Sequence, residues 1–119
     1  MSAAERGPVR VAVIGAGQMA NLVHYPSLTS LADVEVVGIC DLSAERLRET
    51  GERWGITALF SDWSLMIDET HPEAVYVIGP PELMFGIWCA CLVRGLDLFV
   101  EKPLGLTLHQ ARTLARLAD

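Results

Sequence analysis

Short apolar runs alternate along the chain with longer segments in which apolar residues recur every three or four positions. Apolar runs of this length are typical of strands buried on both faces, and the periodic segments are typical of helices packed against them. The runs lie at 11–14, 34–39, 58–60, 74–78 and 96–100. Because parallel strands need crossover connections, usually helices, this alternation predicts an α/β fold with a doubly wound parallel sheet.

Helix start and stop signals lie between these runs. Ser43 is a predicted N-cap for a helix that reaches about Trp54 and ends at Gly55. Asp62 is expected to begin a brief helix that His71 closes. The other predicted helices begin near Met19 with a bend or break at Pro26, run from Glu82 to about Arg94, and start at the capping box Thr107 to Gln110.

The turn after the first predicted strand has a G-x-G-x-x-A pattern from Gly15 to Ala20. Glycine at the first position permits backbone angles closed to other residues, and glycine at the third lets a pyrophosphate approach the main chain. The amides and positive dipole end of the next helix would face that pyrophosphate. A tight strand-to-helix turn, built from small residues for packing, is the alternative. The cofactor-binding residues predicted in this turn are Gly15, Ala16, Gly17, Gln18 and Met19.

Asp41 favours nucleotide binding over a simple turn. It ends the second apolar run, where a dinucleotide-binding fold has a carboxylate for the adenosine ribose hydroxyls. Leu42 and Ser43 follow it, and Arg46 lies one helical turn later. Since a carboxylate repels a 2′-phosphate, we expect NAD in preference to NADP, unless Arg46 folds back toward that phosphate.

Composition limits the possible partners. The 119 residues suffice for one domain with a core, and a net charge of −6 with a pI near 4.9 argues against nucleic acid. No apolar run approaches the roughly 18 residues that span a membrane.

Residues 1–8 lack a hydrophobic signal core and are expected to be a disordered lead-in. Cys40, Cys89 and Cys91 lie in apolar segments, which predicts buried thiols in a reducing cytoplasm and neither disulfides nor a metal site.

The carboxyl ends of the strands are where an open parallel sheet binds ligands. Gly79 and Pro80 follow the fourth predicted strand, and Glu101-Lys102-Pro103 follows the fifth. Lys102 could hold a substrate oxygen or transfer a proton, although by itself it also fits a solvated lysine beside a loop proline. The three histidines are expected to be structural or solvated: His24, His71 and His109.

From about Val9 onward the chain resembles the N-terminal domain of the glucose–fructose oxidoreductase/inositol dehydrogenase family. The resemblance is carried by VAVIGAGQMA, VEVVGICD, AVYVIGPPELM and, most specifically, LFVEKPLGLT. It implies a Rossmann domain over 9–119 that binds NAD(P), and a substrate that is a sugar, a cyclitol or a related hydroxyl compound. It also implies that Glu101, Lys102 and Pro103 lie beside the nicotinamide, that Lys102 is catalytic, and that the bond before Pro103 is cis.

Two positions depart from the family pattern. Family members commonly have threonine or asparagine before the proline after the fourth strand, and histidine four residues beyond that proline. This chain has Gly79 and Met84 instead, so two polar contacts to cofactor or substrate are missing. In the family the last Rossmann strand and a second α/β substrate domain come after the position of Asp119. We therefore expect the 119-residue chain to be an incomplete enzyme.

An uncovered apolar surface is also expected. Hydrophobic residues make up 51% of the chain and the mean hydropathy is +0.34. The segment ELMFGIWCACLVR is apolar nearly all round, whereas a surface helix normally has one polar face. Unless neighbouring helices cover it, this segment is a place for the second domain to dock, and the chain alone should self-associate.

Two other functions compete with the oxidoreductase. A stand-alone dinucleotide-binding or sensing module would fit Gly79, Met84 and the missing second domain. A methyltransferase also has a glycine-rich turn and an acid after its second strand, but it has no role for Glu101-Lys102-Pro103.

Overall fold

One all-parallel sheet of five strands organises the computed structural model, which describes residues 7–18, 20–79, 81–100 and 108–118. The strands are β1 Val9–Ile14, β2 Val34–Cys40, β3 Leu59–Phe60, β4 Ala74–Val77 and β5 Asp97–Val100. Their order in the sheet is β3-β2-β1-β4-β5, so the chain builds outward from β1 first on one side and then on the other. This reversal beside β1 is the switch point of a doubly wound sheet, and the predicted fold class is confirmed.

Helices connect the strands at nearly the predicted positions. A π-helical segment, Ala20–His24, continues into α1 Tyr25–Ser30, and the others are α2 Ala44–Trp54, α3 Trp63–Thr70, α4 Pro81–Val93 and α5 Leu108–Ala118. Ser43 caps α2 by accepting a hydrogen bond from the Arg46 amide at 3.3 Å, and Gly55 ends it with φ 71°. Asp62 caps α3 through the amides of the next turn, as predicted. The proposed capping residue Thr107 and most of the lead-in, residues 1–6, lie outside the described residues.

The first helix does not end at Pro26, where a bend or break was predicted. It is π-helical up to His24 and α-helical from Tyr25 onward. Proline lacks an N–H for the preceding turn, and its ring crowds the carbonyl four residues earlier. A wider π turn at this point relieves the crowding, so the helix changes type and continues.

The core lies on both faces of the sheet, because alternate residues of a strand point to opposite faces. Ala12 and Ile14 of β1 face α3, α4 and α5, whereas Val11 and Val13 face α1 and α2. The largest fully buried side chains include Trp88 on the first face and Tyr25 on the second. Both sides are therefore packed, which explains the nearly continuous apolar composition of the strands.

Neighbouring elements cover much of α4, the helix for which an open apolar surface was predicted. Trp88 and Cys91 are fully buried, and Phe85 and Leu92 are half-buried against the same core. Val93, near the helix end, is 72% exposed. The self-association of the chain stays a prediction. In the described part of the chain, no helix has the length and apolar character needed to cross a membrane.

Candidate functional site

A cleft of about 550 Å³ opens at the carboxyl ends of the first four strands. Gly15, Gly17, Asp41 and Gly79, which are predicted cofactor-binding residues from three separate segments, line it together. Ala16 lies between the two glycines and is buried, and Gln18 follows them and is exposed. Their meeting at one edge follows from the strand order, since β1 lies between β2 and β4.

The backbone conformation at position 15 requires a glycine. Its φ of +119° is rarely adopted by residues with side chains, and a Cβ there would overlap the carbonyl oxygen of Ile78. The Gly15 amide donates to the Cys40 carbonyl oxygen at 2.8 Å, which holds the turn against the end of β2. The turn thus runs close to both neighbouring strands, and only glycine fits.

Gly17 is not required by packing. Among the described residues, no atom lies within 4 Å of the position that its Cβ would take. The Gly17 and Gln18 amides lie where the helix begins, and N–H groups there have no intrahelical acceptor. Open space beside the amides of a helix start matches what an anionic ligand needs.

Asp41 connects the turn to both β2 and α2. One carboxylate oxygen accepts a hydrogen bond from the Ala16 amide at 2.8 Å, and the other accepts from the Ser43 amide, also at 2.8 Å. The sequence predicted only a ribose contact for this side chain. Each carboxylate oxygen can accept two hydrogen bonds, so capacity remains for ligand hydroxyls.

Two polar side chains that hold the turn were missed in the sequence. The Tyr25 hydroxyl donates to the Gly15 carbonyl oxygen at 2.9 Å; burial, with a smaller contribution from Asp41, raises the pKa of Tyr25 and keeps it a donor. The Asn21 amide nitrogen donates to the carbonyl oxygens of Ala16 and Gly17 at 3.1 and 3.0 Å. The sequence signal for Asn21 was a polar residue within the first turns of the helix that follows the glycine turn.

Asn21 also joins the turn to α2. Its amide nitrogen lies 3.0 Å from the Thr50 hydroxyl oxygen, and its amide oxygen accepts from the Trp54 ring N–H at 2.8 Å. Thr50 is 3% exposed and its hydroxyl lies 3.5 Å from the Ala16 carbonyl oxygen. The glycine turn, the first helix and α2 therefore form one hydrogen-bonded unit.

Gly79 and Met84, the two departures from the family pattern, are in contact. A Cβ at Gly79 would lie 2.5 Å from Met84 Cε and 2.9 Å from its Cγ. The thioether side chain therefore fills the space that a larger residue at position 79 would need. Both residues line the cleft, where they form an apolar wall.

Several predicted residues lie outside the described part of the chain. These are Met19, Pro80, Glu101, Lys102 and Pro103. Of the histidines, His24 is buried and packs edge-on against Tyr76 and Phe99, with ring centroids 5.8 and 5.3 Å away. His71 is the C-cap of α3, with φ 48°.

Burial also raises the pKa of two thiols. One of them, Cys40, lines the cleft. Cys40 and Cys91 are buried and free, and burial is the main cause that raises the pKa of each to about 11. The Asp41 carboxylate adds to the rise at Cys40. Both thiols are therefore protonated and poorly nucleophilic near neutral pH.

We expect the free energy of unfolding to fall as the pH rises from about 9 to about 11. A thiol whose pKa is raised by folding holds its proton more tightly in the folded state. Its contribution is complete below the unfolded-state pKa and is lost as the pH passes the folded-state pKa. Urea denaturation at several pH values measures the slope, and a Cys40→Ala, Cys91→Ala double variant should have a shallower slope. Tyr25, whose pKa is also raised by burial, contributes the part that remains above about pH 10. An equally steep decline in that variant would contradict the assignment.

Comparison with known proteins identifies the fold and its family. The model of the family described as "Oxidoreductase family, NAD-binding Rossmann fold", the Gfo/Idh/MocA family, matches residues 9–119. The chain belongs to this family. The match includes β1, the glycine turn, Asp41 and the segment from Glu101 to Pro103.

Individual Gfo/Idh/MocA proteins are similar over most of this chain. D-glucoside 3-dehydrogenase of Escherichia coli is 32% identical over 117 residues, 98% of this chain and 33% of that protein. Myo-inositol 2-dehydrogenase of Thermotoga maritima is 30% identical over 100 residues, 84% of this chain and 30% of the relative. KijD10, a 3-ketoreductase of Actinomadura kijaniata solved with NADP and TDP-benzene, superposes with a TM-score of 0.85 at 28% identity, covering 94% of this chain and 34% of that one. The chain thus spans about a third of the length of these relatives.

Proposed function

We propose that residues 9–119 are the dinucleotide-binding domain of an oxidoreductase that acts on a sugar, a cyclitol or a related hydroxyl compound. The observation that carries the proposal is the geometry at Gly17, where open space faces the cleft and packing gives no reason for a glycine. A pyrophosphate would occupy that space and accept hydrogen bonds from the amides that begin the helix.

The rest of the cleft suits the other parts of a dinucleotide. Asp41 would accept hydrogen bonds from the ribose hydroxyls through its remaining lone pairs. Trp63 and Met84 provide apolar walls of the kind that bind an aromatic base. The residues proposed to contact the cofactor are Gly15, Ala16, Gly17, Gln18, Met19, Asp41, Gly79, Pro80, Glu101, Lys102 and Pro103.

Lys102 is our proposed catalytic residue. Oxidation of a hydroxyl compound moves a hydride to the nicotinamide and the hydroxyl proton to a base, and an ammonium at the strand end can hold the substrate oxygen or relay that proton. The names of the Escherichia coli and Thermotoga maritima relatives, a glucoside and an inositol dehydrogenase, support this substrate class. The chain spans about a third of the length of these two relatives. We also propose that a second α/β domain, outside that third, supplies the substrate pocket.

A stand-alone binding or sensing module is the second candidate. It is favoured by the Gly79–Met84 contact, which puts a thioether where the family commonly has polar groups. Either protein would be cytoplasmic, in keeping with its free thiols. In either case, we propose that the isolated 119-residue chain self-associates through apolar surface such as Val93 and Phe99, which are 72% and 43% exposed.

Titration calorimetry of the purified chain tests the proposal. We expect NADH to bind, S-adenosylmethionine not to bind, and no change in nicotinamide absorbance with NAD and myo-inositol. Binding of S-adenosylmethionine alone would support a methyltransferase and overturn the proposal. A longer chain that includes the second domain separates the two candidates, since only the oxidoreductase would then oxidise a polyol.

NADH is expected to bind about tenfold more tightly than NADPH, because the Asp41 carboxylate repels a 2′-phosphate. Arg46 is the cation among the described residues that line this cleft, and it can offset that repulsion. The Arg46→Ala variant should therefore weaken NADPH binding further and leave NADH binding nearly unchanged. Parallel calorimetric titrations measure both. Equal or tighter binding of NADPH by the parent chain would refute the preference.

A further inference from the structure

The hydrogen bonds to the turn carbonyls determine where the turn amides point. In a trans peptide, a carbonyl oxygen and the next N–H point in opposite directions. The Ala16 and Gly17 carbonyl oxygens both accept hydrogen bonds from the Asn21 side chain, and the Gly17 oxygen also accepts one from the Asn21 backbone amide at 3.1 Å. The Gly17 and Gln18 amides therefore point away from Asn21. These are the two amides proposed to bind the pyrophosphate.

The preceding peptide follows the same rule. Tyr25 binds the Gly15 carbonyl oxygen at 2.9 Å, and the Ala16 amide on the other side of that peptide donates to Asp41 at 2.8 Å. Asp41 lines the main cleft, and Asn21 lines an adjoining cleft between the first helix and α2. Gly17 and Arg46 line both clefts, and Gln18 lines the adjoining one. The carbonyl oxygens of Gly15, Ala16 and Gly17 are thus all bound by side chains of the first helix. The amide that follows each carbonyl therefore points away from that helix.

We propose that Asn21 is a positioning residue for dinucleotide binding: it holds two turn carbonyls away from the ligand and so directs the following two amides toward the pyrophosphate. The inference rests on the proposed function. This role is consistent with the full hydrogen bonding of the Asn21 side-chain amide. Its nitrogen lies within hydrogen-bond distance of three acceptors, and its oxygen accepts from the Trp54 ring N–H at 2.8 Å, which fixes the orientation of the amide.

The network also connects the phosphate and ribose ends of the proposed site. Thr50 and Trp54 belong to α2, the helix that begins just after Asp41. Asn21 and Asp41 bind adjacent peptides of the turn from opposite sides. Loss of the Asn21 donors should therefore disturb the amides that bind phosphate while the bonds from Asp41 to Ala16 and Ser43 remain.

The Asn21→Asp variant tests this inference. It keeps the shape of the side chain and an acceptor for Trp54, but it places a carboxylate oxygen against two carbonyl oxygens. We expect ADP and NADH to bind at least about tenfold more weakly, as the loss of two oriented hydrogen bonds implies. Adenosine has no phosphate, so its affinity, followed by NMR titration, should change by less than about twofold.

Two further variants separate positioning from folding. Trp54→Phe removes the ring N–H that the Asn21 oxygen accepts from and keeps an aromatic side chain, and its effect on ADP binding should be smaller than that of Asn21→Asp. Asn21→Ala removes the donors without adding a charge and should again weaken ADP selectively over adenosine. Urea denaturation of each variant confirms that the chain is folded.

The outcomes are distinct. If the parent chain binds neither NADH nor ADP, the proposed function fails. If the parent binds them and Asn21→Asp binds them equally well, or loses adenosine as strongly as ADP, the positioning role is overturned. Failure of both Asn21 variants to fold would assign the residue to stability and would also overturn the inference.

Discussion

Replacing Gly17 by valine is expected to abolish dinucleotide binding and leave the fold intact, whereas replacing Gly15 by alanine is expected to destabilise the fold. At Gly17, no atom of the described residues lies within 4 Å of the Cβ position, so the new Cβ meets no packed neighbour and we expect the fold to remain. The branched side chain would instead occupy the space proposed for the pyrophosphate. We expect NADH affinity to fall by at least about a hundredfold, or about 2.7 kcal/mol.

Gly15→Ala meets two costs. A residue with a side chain at φ +119° is strained by about 1–3 kcal/mol. The new Cβ would also overlap the Ile78 carbonyl oxygen, and overpacking typically costs a further ~1–3 kcal/mol. A small domain has only about 5–15 kcal/mol of stability, so the loss is large.

Urea denaturation measures the stability of the Gly17→Val and Gly15→Ala variants, and calorimetry measures their affinity for NADH. Gly86→Ala is the matched control, because this glycine is exposed within α4 and no described atom lies within 4 Å of its Cβ position. Alanine there should raise stability by about 0.5–1 kcal/mol and leave binding unchanged. A folded Gly17→Val chain that binds NADH like the parent would move the site elsewhere.

Asp41→Ala should lower both stability and dinucleotide affinity. The carboxylate accepts from the Ala16 and Ser43 amides, and hydrogen bonds to charged groups are worth about 1.5–3 kcal/mol each. Stability should therefore fall by about 2–4 kcal/mol, since water can replace part of the interaction. NADH affinity should fall by more than about thirtyfold, because the turn loses its support and the ribose loses its acceptor.

Asparagine is not a conservative replacement at this position. Both carboxylate oxygens face backbone N–H groups, so the amide NH₂ of Asp41→Asn would place a donor against a donor. Asp62→Ala is the control, since Asp62 caps α3 through two amides but does not line the cleft. The Asp62→Ala variant should lose about 1 kcal/mol of stability and bind NADH as tightly as the parent chain. An Asp41→Ala chain that binds NADH normally would contradict the assigned role.

The regular elements were predictable because their signals are local. The helix capped by Ser43 and ended by Gly55 follows from backbone preferences of those residues alone. The strands follow from apolar runs, and the strand order seen in the structure is that of the predicted doubly wound sheet. The position of Asp41 at the end of β2 was likewise predicted from the motif spacing.

The side chains that hold the glycine turn were not predictable in the same way. Asn21 and Tyr25 reach the turn carbonyls from a helix that is π-helical before Pro26, and a π turn changes which residues face a given side. The contact between Gly79 and Met84 depends on how α4 leaves the sheet. Such contacts depend on tertiary geometry, and single-residue preferences carry no information about it.

An NMR titration of the ¹⁵N-labelled chain with NAD tests the central claim most directly, because it reports each backbone amide separately. We predict that the largest shifts occur at the Gly17 and Gln18 amides and that the Ser43 amide, bound to Asp41, shifts as the ribose docks. A different cleft, of about 460 Å³, lies beside His71 and Arg94, away from the glycine turn. Shifts confined to the cleft at His71 and Arg94, or no shifts at saturating NAD, would contradict the claim that the glycine turn binds the dinucleotide.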